Sequence, residues 1–145
     1  MHRPAVIFDF NRTLFDPVTY TLYPGAGAML DELRDKYRLF LYSRRGFNRH
    51  KLLEDLNILH CFEGTCFVET KTAENLRAFM NEHSISTDNA IVVGDAIWSE
   101  LCLGQELGMR TVWFKQGAVP PGALPCVPTH TVTSIPELHV LLRTT

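Results

Sequence analysis

The sequence is poor in the features that would assign it to several large classes at once. It has four cysteines, at positions 61, 66, 102 and 126, and no Cys-x-x-Cys pair. That excludes a disulfide framework, and unpaired thiols in a reducing compartment are the expectation. Cys61 and Cys66 flank a loop near His60, a weak metal hint that unpaired thiols outweigh, and Cys102 falls in an apolar helical stretch as a core residue. No run approaches the ~20 apolar residues of a membrane span. Met1-His2-Arg3-Pro4 leads into a short apolar run ending at Phe8, too little for a signal-peptide core, so a cytoplasmic location is expected. The net charge is only −2, which gives no global pull toward nucleic acid or an anionic membrane. There is no Gly-x-x-x-x-Gly-Lys-Ser/Thr loop, no internal repeat and no low-complexity tract. Gly25-Ala26-Gly27 lacks the third glycine of a dinucleotide fingerprint and reads as a turn.

What is present is a 145-residue chain with 46% hydrophobic residues, enough for one core in one domain over 1–145. It is organised around Ala5-Val6-Ile7-Phe8-Asp9, an apolar run that drives into a carboxylate. Strands buried on both faces read as continuous apolar runs, and in open α/β sheets ligands bind at the carboxyl edge. The pattern recurs. Leu39-Phe40-Leu41-Tyr42 runs into Ser43, and Ala90-Ile91-Val92-Val93 runs through Gly94 into Asp95. Cys66-Phe67-Val68 is a short third strand followed by Lys71, and Thr111-Val112-Trp113-Phe114 is a fifth.

Between these runs lie helical spacings: Ala28 to Tyr37, Leu52 to Leu59, Leu76 to Met80 behind a Thr72 cap, and Ile97 to Leu107 ending at Gly108. Residues 14–23 read as a small hairpin or flap, 117–128 as a Pro- and Gly-rich loop, and His130 to Thr133 as a short edge strand. Pro136 is placed to start a last helix. Alternating strands and helices predict a three-layer α/β/α Rossmann-like fold with a mostly parallel sheet of five to six strands.

In that fold Asp9, Ser43, Lys71 and Asp95 meet at one sheet edge, which scattered structural polar residues have no reason to do. Two carboxylates can hold a hard divalent cation such as magnesium, and a carboxylate can be the nucleophile that forms an aspartyl-phosphate. The Ser43 hydroxyl and the Lys71 ammonium suit phosphoryl oxygens. Arg12, Arg44, Arg45 and Arg49 follow the first two strands and would rim the site with positive charge. Trp98 is either a substrate platform or ordinary packing.

The ordered set resembles the haloacid dehalogenase-like (HAD) superfamily. Asp9-Phe10-Asn11-Arg12-Thr13-Leu14 resembles its first motif, DxDGTL; Ser43 resembles the second and Lys71 the third. Gly94-Asp95-Ala96-Ile97-Trp98-Ser99-Glu100 resembles the fourth, GDxxxxD. The resemblance implies Asp9 as nucleophile and metal ligand, the Asn11 backbone carbonyl and Asp95 as further ligands to Mg2+, and Glu100 orienting the metal shell. It implies Ser43 and Lys71, with Arg12 and Arg44 beside them, as the phosphoryl-binding group. Asp9 and Ser43 are 34 positions apart, and Ser43 and Lys71 are 28 apart, so neither gap holds the family's cap domain. Capless members resemble enzymes that act on large substrates, or on small ones when a homo-oligomer closes the site.

Three departures stand out. The family's acid/base aspartate is here Asn11, whose amide has no proton to shuttle. Arg12 replaces a glycine, and Glu100 an aspartate. The resemblance therefore implies a magnesium-dependent phosphatase acting on a phosphorylated small molecule or macromolecule, slowed at Asn11. The alternative is a phosphate- or phosphoprotein-binding module without turnover. Dehalogenation is disfavoured by the missing cap.

Overall fold

A computed structural model describes residues 3–117 and 122–145. Six strands form one parallel sheet: β1 (Ala5–Phe8), β4 (Arg38–Arg44), β5 (Gly64–Val68), β6 (Ala90–Gly94), β7 (Arg110–Phe114) and β8 (His130–Val132). Their spatial order is β5-β4-β1-β6-β7-β8, so β1 is central and the chain winds outward from it in both directions. Two very short strands, β2 (Phe15–Asp16) and β3 (Thr21–Leu22), pair antiparallel as the flap expected over 14–23.

Alternation within the strands builds two cores. Val6, Phe8, Leu39, Leu41, Ile91 and Val93 point to the face covered by α1 (Ala26–Leu33), α2 (Arg49–Asp55) and α5 (Ile135–Thr144). Ala5, Ile7, Phe40, Tyr42, Ala90 and Val92 point to the other, covered by α3 (Ala73–Glu82) and α4 (Cys102–Glu106). All four residues of β1 are buried, which is why its apolar run has no polar alternation. Each large side chain so buried contributes roughly 1.5–3 kcal/mol.

Register delivers the polar ends of the strands to one place. Phe8 lies opposite Leu41 of β4 and Val93 of β6, and the Asp9 N–H donates to the Val93 carbonyl at 2.9 Å. Asp9 and Asp95, just beyond their strands, and Ser43, next to last in β4, are therefore brought to the same edge of the sheet.

Two helices differ from expectation. The stretch from Ile97 to Leu107 is not one α-helix. Ile97–Leu101 is a π-helical turn broken by Ser99 (φ −117°, ψ −110°), and α4 begins only at Cys102. Cys102 is half-buried rather than a core residue, and Leu101 and Gly104 take the buried positions. The second helix stops at Asp55, with a 3-10 turn at Leu59–Cys61. The helix starts at the other end of the chain are as expected: Ser134 caps α5 with Pro136 in its first turn. In the loop expected over 117–128, residues 118–121 lie outside the described residues.

Thr72 caps α3 through a reciprocal pair: its hydroxyl accepts from the Asn75 N–H at 3.1 Å, and Asn75 Oδ1 accepts from the Thr72 N–H at 3.1 Å. This cap immediately follows Lys71. Thr72→Ala is expected to lower stability by about 1 kcal/mol. Thr72→Ser should restore most of it, as read by urea denaturation.

Candidate active site

The loop after β1 is wound tightly. The Phe10 carbonyl accepts from the backbone N–H groups of Thr13, Leu14 and Phe15, while the Arg12 N–H returns to the Phe15 carbonyl at 2.8 Å. The Phe10 and Phe15 rings stack at 4.8 Å between centroids and anchor the turn in the core. Arg12 pays no glycine-like role lightly: its φ is +63°, the left-handed region, which costs a side-chain-bearing residue about 1–2 kcal/mol. The tight winding imposes that conformation and swings Arg12 toward the cleft.

Lys71 is the centre of the site. Its ammonium donates to Asp9 Oδ1 at 2.9 Å and to Glu100 Oε2 at 3.2 Å, and its side chain is 3% exposed. It also lies 5.3 Å from the centre of the Tyr42 ring, and the Tyr42 hydroxyl bonds Asn75 Oδ1. Burial pulls the Lys71 pKa down, but the Asp9 and Glu100 charges outweigh it and leave it above its usual value.

Glu100 is held from two sides. Its Oε1 accepts from the Ala96 N–H at 3.2 Å, and its side chain lies flat on Gly94, where a Cβ would come within 2.1 Å of Oε1. The break at Ser99 turns Glu100 inward to this position. Burial, reinforced by the Asp9 charge, pushes its carboxyl up to about 7 against the opposing effect of Lys71. Asp9 and Asp95 are raised as well, in both cases first by burial. The Asp95 carbonyl accepts from Trp113 Nε1 at 3.0 Å, which ties the end of β6 to β7.

All eight residues expected at the site line one cleft of about 220 Å3: Asp9, Asn11, Arg12 and Ser43, with Arg44, Lys71, Asp95 and Glu100. Ala96 and Ser99 complete it. Of the expected arginine rim, Arg45 and Arg49 do not line the cleft. The Arg49 guanidinium lies 5.3 Å from the centre of the Phe10 ring, and Arg45 uses its backbone N–H on the Val68 carbonyl. The contributions of Ser99 and Trp113 carry no chemical signature in sequence, since they act by backbone geometry; Gly94 stands in the fourth motif, but its reason, the room it leaves for Glu100, appears only in the structure.

Carboxylate oxygens of Asp9, Asp95 and Glu100 lie within 4.8 Å of one another, the grouping among the described residues that could hold a metal ion. An all-oxygen set of this kind suits magnesium. The Asn11 Oδ1 faces the same need: it is buried with no hydrogen-bond partner. A buried acceptor left so costs about 1–3 kcal/mol, which a bound donor such as a water would relieve.

Two outcomes follow from this packing. Gly94→Ala forces a methyl into the Glu100 carboxylate and is expected to cost about 1–3 kcal/mol in urea denaturation. The second is a pH dependence. A carboxyl whose folded pKa is raised favours folding below its unfolded value, ordinarily 4.5, and loses that contribution as pH rises through about 7. With metal chelated, stability should therefore fall between pH 4.5 and 7 by on the order of 3 kcal/mol from Glu100 alone. Glu100→Gln should flatten that fall, as measured by urea midpoints at pH 5 and pH 8.

Comparison with known proteins gives a consistent picture. Residues 72–138 match the family model described as HAD-hydrolase-like. No curated protein matches the sequence. Among solved structures, the fold is similar to that of YfnB from Bacillus subtilis, assigned as a HAD-hydrolase and bound to magnesium. That match has TM-score 0.81 and 13% identity, and covers 99% of this chain and 100% of that one. It is also similar to the core domain of a protein assigned as a phosphoglycolate phosphatase from Streptococcus pneumoniae (TM-score 0.71, 17% identity, 100% and 98% covered). A third similar structure is the 2-haloacid dehalogenase from Pseudomonas syringae (TM-score 0.80, 14% identity, 100% of both chains covered). The family match over residues 72–138, and the fold shared along the whole chain, make this protein similar to HAD-like hydrolases, with no cap domain among the described residues.

Proposed function

We propose that the protein is a magnesium-dependent phosphatase acting through an aspartyl-phosphate on Asp9. The observation that carries this reading is the buried Lys71 ammonium bonded to both Asp9 and Glu100, with Asp95, Ser43 and Asn11 in the same cleft. Burial raises the Asp9 carboxyl, and the Lys71 charge and hydrogen bond oppose that rise, favouring the ionised form that a nucleophile requires.

In this reading a carboxylate oxygen of Asp9 attacks phosphorus. The bond from phosphorus to the leaving oxygen breaks, and the electron pair departs with that oxygen. Ser43 and Lys71 hold the phosphoryl oxygens through the passage, with the Arg12 and Arg44 guanidinium groups at the mouth. Water then attacks the aspartyl-phosphate, freeing inorganic phosphate and returning Asp9. Asp9, Asp95 and the Asn11 carbonyl would hold magnesium, with Glu100 orienting its shell. The ion's chemistry there is to neutralise charge on the phosphoryl oxygens. The substrate is a phosphorylated small molecule or macromolecule in the cytoplasm. A cation-holding acidic cluster and phosphoryl-binding cations favour this over displacement of a halide, whose leaving group needs neither.

Asn11 supports a second reading, a phosphate-binding module without turnover. Its amide can accept a hydrogen bond from water but cannot take the proton. Hydrolysis of p-nitrophenyl phosphate with magnesium should be slow in the wild type, lost in Asp9→Asn, and raised in Asn11→Asp by up to the 10²–10⁴-fold typical of general acid–base help. If Asn11→Asp is also inert and beryllofluoride leaves the site unfilled, the catalytic reading fails. If beryllofluoride binds but neither protein turns over, the binding module stands.

A further inference from the structure

The Asp9 cleft does not end at its own walls. A second cleft of about 330 Å3 adjoins it and shares Arg44, Lys71 and Ser99 with it. Its far side is formed by Trp98, Leu103 and Glu106. Trp98 stands in the turn that delivers Glu100 and is 56% exposed, a large aromatic that the folded core does not use. Its neighbours Ile97 and Leu101 take the buried positions of the same turn. The second cleft is thus a partly apolar space that shares walls with the place where phosphorus would be attacked.

We propose that this second cleft is the leaving-group subsite, and that the substrate class is the monophosphate ester of an uncharged phenol, with its ring against Trp98. The inference rests on the phosphatase reading above, and two independent features define the class. Asn11 provides no proton, so the leaving oxygen must depart as an anion, and a phenoxide does so far more readily than an alkoxide. Trp98 and Leu103 offer an aromatic and an aliphatic surface to a ring, which an alkyl chain or sugar would use less well. Arg44, common to both clefts, is the cation placed to meet the developing phenoxide. Glu106 at the far side repels a second anionic group, which disfavours bisphosphates and aryl carboxylates.

The bond changes balance without an added reactant. Asp9 displaces the phenoxide, which leaves with the electron pair and is neutralised by Arg44. Water hydrolyses the aspartyl-phosphate, and one of its protons ends on the phenoxide or in solvent. The same ring could arrive as a free aryl phosphate or as a tyrosyl phosphate in a peptide, and the open, capless cleft admits both.

The test compares kcat/KM, with magnesium, for substituted phenyl phosphates, a phosphotyrosyl peptide and alkyl phosphates. The proteins are the wild type, Asn11→Asp, Trp98→Ala and Trp98→Phe. Wild-type kcat/KM should rise steeply as the leaving phenol becomes more acidic. Asn11→Asp should flatten that dependence, since a supplied proton makes the leaving group's acidity matter less. Trp98→Ala should raise KM for aryl substrates by about three- to tenfold with little effect on alkyl ones, and Trp98→Phe should recover most of it. Preference for the peptide over phenyl phosphate would identify the macromolecular source, and equal or lower activity the small-molecule one.

If the wild type hydrolyses alkyl and aryl phosphates equally, or Trp98→Ala weakens both alike, the subsite assignment is overturned while the phosphatase reading survives. If no phosphate ester is turned over by the wild type or Asn11→Asp, both fall together.

Discussion

The site depends on one buried cation. Asp9, Asp95 and Glu100 converge within a few ångströms, and burial penalises the charge on each of them. Lys71, bonded to two of the three, is what makes that convergence tolerable. Its position is secured indirectly: it leaves β5 just before a capped helix, and it rests beside the Tyr42 ring at the end of β4. Tyr42, in turn, bonds Asn75, the residue that completes the cap. Sheet, helix start and ammonium are thereby one mechanical unit, and a disturbance at any of them reaches the Asp9 carboxylate.

Much of the fold is legible in the sequence because a parallel sheet buried on both faces leaves a plain record: apolar runs without alternation, separated by helical spacing. β1, β4, β6 and β7 all have that record, and the short edge strand β8 was bounded by its neighbours' turns. The stretch from Ile97 to Leu107 was not legible. Its apolar spacing fits an α-helix, but the chain breaks at Ser99 so that Glu100 can turn onto Gly94. Periodicity measures which residues are buried, and Glu100 is buried for electrostatic rather than hydrophobic reasons. The flap was legible in place but not in extent. Its β-branched and aromatic residues favour strand, whereas Tyr20 adopts φ +60° and the paired segments are only two residues each.

The site divides along the same line. Residues proposed to act by chemical identity, such as Asp9, Ser43, Lys71 and Asp95, stand at or just beyond the ends of apolar runs and can be read there. For residues that act by shape, the reason cannot be read there, even where, as at Gly94, the residue falls in a motif. Gly94 matters because nothing larger fits beneath Glu100, and Trp113 matters because its indole N–H fixes the Asp95 carbonyl. Arg45 and Arg49 show the converse. Sequence proximity grouped them with Arg12 and Arg44, but the turn at Gly46 directs Arg49 back over Phe10, where it braces the loop that carries Asn11.

Asn11 fits the electrostatics of this arrangement better than the aspartate it replaces. One lysine already serves two buried carboxylates, and a further acid in the same cleft would raise the cost of every charge there. The amide keeps a hydrogen-bond acceptor at that position and brings no charge. In the phosphatase reading proposed above, the consequence is chemical selectivity. A site without a proton to give would still bind and attack phosphate esters, yet would complete the displacement only where the departing oxygen carries its negative charge unaided. On that reading, an amide in place of the acid would narrow the reaction by leaving-group chemistry rather than by the shape of a lid, a form of discrimination open to an enzyme that has no cap.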